Sequence, residues 1–140
     1  LMHSLGLQRP VVGLESVQTQ LSALLARSDE EAAEMVQGAL AELHSPLASR
    51  SLERLAQVWV AGDLAALEAY PQWCDCLHTP VEREAFARLV EGRNPGMAEA
   101  IARLHADASV FAAVGALHMV GPQGLPALLQ AQGFTVTRVF

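Results

Sequence analysis

Apolar residues fall into two kinds of run along this chain. Three short runs have the pattern of buried strands. Residues 10–15 are short and apolar and end at the carboxylate of Glu15. Residues 109–115 are continuously apolar, as a strand covered on both faces is. Residues 134–139 are β-branched and alternate, the pattern of a strand near a sheet edge.

Between the first two runs the apolar spacing becomes helical. Val17, Leu21, Leu24 and Leu25 make one face, and Ser28 or Asp29 can cap the next helix, which carries Ala32, Val36, Ala39, Leu40 and Leu43. Ser45-Pro46 ends that helix. Leu52, Leu55, Ala56, Trp59 and Val60 form a third face that stops at Gly62, where Asp63 can cap a short fourth helix around Leu64 and Leu67. Residues 70–80 carry few helical signals. A helix resumes through Phe86, Leu89 and Val90, and the next opens with Asn94 as N-cap and Pro95 at its first position, burying Met97, Ala98, Ile101 and Leu104. After residue 115, His118 and Gly121-Pro122 lead to a helix with Leu125, Leu128 and Leu129 that Gly133 ends.

The expected fold is therefore α/β. It has a small, mostly parallel sheet of about three strands, a large helical insertion over about 16–106, and a C-terminal β-α-β unit over about 109–140. In open parallel sheets, ligands bind beyond the carboxyl ends of the strands. Glu15 ends the first run and His118 follows the second, so both are expected at one rim. Arg93 precedes a helix N-terminus, a place that favours anions. A carboxylate, an imidazole and a guanidinium at one rim suit hydrolysis, with His118 as metal ligand or proton shuttle, Glu15 as ligand or orienting group, and Arg93 holding a carboxylate or oxyanion. Each has a plainer role as well. Glu15, with Ser16, can cap a helix; His118 can be a hydrogen-bonded loop residue; Arg93 can pair with Glu91. His3, His44, His78 and His105 fall on predicted loops or polar faces and read as surface residues.

Composition narrows the function classes. The 140 residues are 51% hydrophobic, enough for one compact domain. Formal net charge is −6, and the 9 basic residues are all Arg, scattered along the chain. Nucleic-acid binding needs a basic stripe, and none is present. The absence of Lys removes the P-loop and Schiff-base chemistry. No apolar run is long enough for a membrane span. No G-x-S-x-G or H-E-x-x-H motif occurs, and Gly121-Pro122-Gln123-Gly124 lacks dinucleotide-loop spacing and reads as a tight turn. Cys74 and Cys76 flank Asp75; this spacing rarely forms a disulfide, and two thiolates are too few for structural zinc, so free thiols in a loop are expected.

The run from Val110 to Leu125, with Phe111-Ala112-Ala113-Val114-Gly115-Ala116-Leu117-His118 and then Gly121, resembles the C-terminal signature of the TraB/PrgY/GumN family. Leu128-Leu129 and Gly133-Phe134-Thr135-Val136-Thr137-Arg138 continue it. Upstream, Arg93-Asn94-Pro95-Gly96-Met97-Ala98 resembles the family's R-N-x-x-M-A segment, and Gly13-Leu14-Glu15-Ser16 with Gln20 resembles its G-L-E-[ST] strand end. These matches keep their order over nearly the whole chain.

The resemblance implies a Tiki-like metal-dependent hydrolase or peptidase with two G-x-x-H motifs, an acidic residue and an Arg at its site. The second motif falls on Gly115-Ala116-Leu117-His118, making His118 a metal ligand, and the Arg falls on Arg93; Glu15 competes with an acidic residue earlier in the family domain. No counterpart of the first G-x-x-H occurs here, since His3 lacks the preceding glycine. Residues 1–140 are accordingly expected to be the C-terminal half of the domain, unable to complete a divalent-metal site or to catalyse hydrolysis alone. The expected partners are a peptide or small-molecule substrate, the missing N-terminal half, and another copy paired through an exposed sheet edge. The resemblance also implies a bacterial cell-envelope or exported protein, with any signal peptide outside this chain. The alternative function is a non-catalytic protein of the envelope that binds and sequesters a peptide or signalling molecule.

Overall fold

The computed structural model describes residues 10–43 and 45–139. Eight α-helices and two 3-10 turns succeed one another among them. Local sequence accounts for most of the starts. The Ser16 side chain accepts the Thr19 N–H and opens α1 (Val17–Leu24). Ser28 Oγ accepts the Glu31 N–H at the start of α2 (Asp29–Leu43), whose first turn carries Asp29, Glu30 and Glu31 against the positive end of the helix dipole. Helix α3 (Pro46–Ala61) stops at Gly62, which takes the left-handed φ of 63°. Asp63 then caps α4 (Leu64–Glu68) by accepting the Ala66 N–H, and the short α5 (Tyr70–Trp73) follows.

Helix α6 (Pro80–Leu89) has a complete capping box: Thr79 accepts from the Glu82 N–H while Glu82 accepts from the Thr79 N–H. A 3-10 turn (Glu91–Arg93) joins it to α7 (Asn94–Asp107). A second 3-10 turn (Ala116–Met119) carries His118, and α8 (Leu125–Ala131) ends before Gly133 at φ 91°. The core lies where α7 meets α8. Met97, Ala98 and Leu125 are buried there, with Leu14, Ile101, Val114, Leu128 and Leu129 packed around them. Leu125, 2% exposed, gains about 2 kcal/mol from leaving water.

The expected α/β architecture is overturned. Among the described residues there is no strand and no sheet, so the parallel three-stranded sheet, its exposed edge and the β-α-β unit are all absent from them. The three runs, expected as strands, are non-helical but do not pair. Leu14 and Val114 pack onto the α7–α8 core at the ends of their runs. Val11 and Phe111, further out, are 77% and 94% exposed. The last run is tied to helices instead: the Phe134 N–H donates to the Leu129 carbonyl, and Arg138 Nη2 donates to the Gly62 carbonyl at 2.5 Å. Apolar alternation specifies which face is buried; a strand also needs a neighbour whose N–H and C=O groups meet its own. Of the three runs only 134–139 alternates, and none of them has such a neighbour among the described residues.

The cysteine expectation is corrected too. Cys74 and Cys76 form a disulfide across Asp75. The close approach depends on Asp75 at φ 54°, a left-handed conformation that Asp tolerates better than most side chains. No helix among the described residues is long and apolar enough to cross a membrane.

Candidate functional site

Three short pieces of chain converge beside the N-terminal end of α7. Residues 10–15 bring Glu15, the turn before α7 brings Arg93, and the 3-10 turn after residue 115 brings His118. All three line one cleft of about 1120 Å³, together with residues 108–115.

Glu15 and Arg93 form a two-pronged ion pair. Arg93 Nε donates to Glu15 Oε2 at 2.9 Å, and Nη2 donates to Oε1. The Arg93 and Glu15 side chains are only 13% and 18% exposed, respectively. Arg93 Nη1 also donates to the Leu89 carbonyl at 3.0 Å, which locks the guanidinium onto the end of α6. Three of the five guanidinium N–H groups are thus engaged, leaving two to donate elsewhere. The hydrogen bond from Arg93 holds the Glu15 carboxyl below its ordinary 4.5, against the opposing effect of burial. The same bond pushes the Arg93 guanidinium up. Arg93 therefore pairs with Glu15 rather than with Glu91, and Glu15 leaves the capping of α1 to Ser16.

His118 is buried, and its partner is Asn94, which is 1% exposed. Nδ1 lies 2.6 Å from Asn94 Oδ1, while Asn94 Nδ2 donates to the Gln123 carbonyl at 2.7 Å. The second bond sets the orientation of the amide, so its oxygen faces the imidazole. An amide oxygen only accepts, hence Nδ1 carries the proton and, in the neutral ring, Nε2 holds the lone pair. Burial lowers the His118 pKa below its ordinary 6.5, and the Arg93 charge lowers it further; Glu15 and a hydrogen bond with the Val90 backbone act in the opposite sense.

Among the described residues, no group of three or more His, Cys, Asp or Glu could hold a metal ion. Within this cluster both Glu15 oxygens are taken by Arg93 and the His118 ring is hydrogen-bonded to Asn94 and to the Val90 backbone, so a divalent-ion site does not close here.

A family model described as the TraB/PrgY/gumN family matches residues 5–138. The chain belongs to that family. No curated protein and no solved structure matches it.

Asn94, expected as a helix cap, does something else in this TraB/PrgY/gumN chain. Arg93 occupies the cap position without a capping side-chain bond, and Asn94 is the first residue of α7. Its amide is spent on His118 and Gln123. The signal available was its place beside Arg93 in the Arg93-Asn94-Pro95 segment. The expected tight turn at residues 121–124 is present, with Gly121 at φ 78° and the Gly124 N–H donating to the Gly121 carbonyl. In this TraB/PrgY/gumN member that turn also presents the carbonyl that Asn94 reads. His78 and His105 are exposed, whereas His3 and His44 lie outside the described residues.

Proposed function

We propose that the Glu15–Arg93–Asn94–His118 cluster is one side of the site of a metal-dependent hydrolase or peptidase, with further donors supplied from beyond the described residues. The observation that carries this reading is the placement of His118: a buried imidazole held at Nδ1 by Asn94, with Nε2 as its second nitrogen, in the cleft that Glu15 and Arg93 also line. Such a nitrogen takes a proton from water or serves as a ligand. Glu15 orients Arg93, and the two unengaged guanidinium N–H groups are placed to bind a substrate carboxylate or a developing oxyanion. A divalent ion held by His118 together with ligands from beyond the described residues would supply Lewis-acid chemistry at this site. The Cys74–Cys76 disulfide supports an exported or envelope location, where thiols oxidise.

The test is hydrolysis of a peptide library by the full-length protein, with and without added divalent cations. Cleavage that needs the cation and falls by about 100-fold or more in His118→Ala is expected. Cleavage that is indifferent to His118 overturns the site.

The exposed Val11, Val12 and Phe111 beside the cleft favour a second reading, a non-catalytic protein that holds an apolar peptide or signalling molecule. That reading predicts saturable peptide binding, no turnover, and no dependence on divalent cations.

A further inference from the structure

A second place in the molecule carries chemistry that the cluster around His118 does not use. Cys74 and Cys76 are joined across a single residue at the end of α5, on the wall of a separate cleft of about 290 Å³. A cross-link stabilises a fold mainly by restricting the unfolded chain, and this effect shrinks with the length of the loop closed. The loop closed here is the shortest but one that the chain can make, so stapling is a poor account of it. Two features point elsewhere. The sulfurs are unequal: Cys74 is 3% exposed, whereas Cys76 is half-buried and lies 3.7 Å from the Tyr70 hydroxyl. The bridging residue, Asp75, is the one described non-glycine residue with positive φ, and opening the ring frees it to relax.

We infer that Cys74–Cys76 is a reversible dithiol–disulfide exchange site, open to a dithiol reductant at the Cys76 sulfur. The reductant's thiolate attacks Cys76 Sγ. The Cys74–Cys76 bond breaks, and its electron pair leaves on Cys74 Sγ, which takes a proton. The reductant's second thiolate then attacks its own sulfur in the mixed disulfide and releases Cys76 as a thiolate, which is protonated in turn. Two electrons and two protons pass to the protein, and the reductant becomes a disulfide. The reverse sequence oxidises the protein. Reduction also loosens the start of α6, because the His78 ring is held 3.0 Å from the Asp75 carbonyl oxygen and the His78 N–H donates to Glu82 in the capping box.

The experiment is a redox titration of the folded, full-length protein in glutathione buffers and in dithiothreitol, read by alkylation and intact mass, with circular dichroism recorded in parallel. Disulfide and dithiol forms should interconvert while the helical signal persists. Cys74→Ser should take up one glutathione at Cys76 about tenfold faster than Cys76→Ser takes one up at Cys74, because thiol exchange follows access. A disulfide that resists about 10 mM dithiothreitol until denaturant is added overturns the proposal. So does a reduced pair that oxidised glutathione leaves unpaired. If either serine variant fails to fold, the titration of the unsubstituted protein decides alone. Loss of peptide hydrolysis in His118→Ala has no bearing on this result, so the two proposals fail separately.

Discussion

Asn94 and His118 are one unit: the amide oxygen sits 2.6 Å from the imidazole Nδ1, and the amide nitrogen is anchored to the Gln123 carbonyl on the far side. The direction of the proton in the ring follows from that anchor. A residue at the first position of α7 thereby decides which face of His118 can act as base or ligand.

Replacing Asn94 tests this unit directly. Asn94→Asp places a carboxylate against Nδ1 and removes the donor to Gln123. The His118 pKa, followed by NMR of its ring protons, should rise relative to the unsubstituted protein, since an adjacent negative charge favours imidazolium. Asn94→Ala should cost about 1–3 kcal/mol in urea unfolding, because it leaves the buried His118 Nδ1 without Asn94 and removes the bond to the Gln123 carbonyl. An unchanged His118 titration in Asn94→Asp contradicts the Asn94–His118 contact.

The Glu15–Arg93 pair joins the first run to α7 across 78 residues of chain. Glu15→Gln keeps the shape and removes the charge, leaving Arg93 with one strong partner fewer in a largely covered position. A loss of about 1–2 kcal/mol is expected, measured by chemical denaturation. Arg93→Lys cannot reproduce the two-pronged geometry, and the double variant should show coupling between the sites.

Acid should weaken the fold in two stages. The folded protein holds His118 below its ordinary 6.5, so the stability this protects is complete above about pH 6.5 and is lost as pH falls through the lowered folded value. Glu15 is held below 4.5, so its contribution is complete above about pH 4.5 and is lost as pH falls further, through its own folded value. Urea midpoints measured across this range should decline first in the His118 window and then in the Glu15 window. His118→Gln should remove the first decline and leave the second.

Gly124 closes the turn that carries Gln123. A Cβ there would meet the Val120 carbonyl oxygen at 2.5 Å and its carbon at 2.9 Å, both backbone atoms that cannot swing aside. Gly124→Ala should therefore destabilise by about 1–3 kcal/mol. It should also perturb the His118 ring signals through the displaced Gln123 carbonyl. Gly96→Ala, where nothing lies within 4 Å, is the matched control and should be close to neutral or stabilising.

Much of the helical order was legible in the sequence because capping is local. Asp63 caps α4 as its spacing predicts, Ser16 and Ser28 are the residues that cap α1 and α2 from the pairs Glu15/Ser16 and Ser28/Asp29, and Gly62 and Gly133 stop helices by taking positive φ. The candidate residues Glu15, Arg93 and His118 were legible too, since each stands in a recognisable segment. Their partners were not. Whether Arg93 meets Glu15 or Glu91, and whether Asn94 caps a helix or holds an imidazole, depends on which distant backbone arrives beside α7. The absence of the expected sheet among the described residues has the same reason. Residues 10–15, 109–115 and 134–139 have the composition of strands, but a ladder is a relation between two segments, and only the tertiary structure decides whether the second segment is there. By itself the sequence determined the helices, through contacts spanning a turn or two. The tertiary structure decided the pairings, because hydrogen bonds and ion pairs between distant residues form only where packing brings the backbones together.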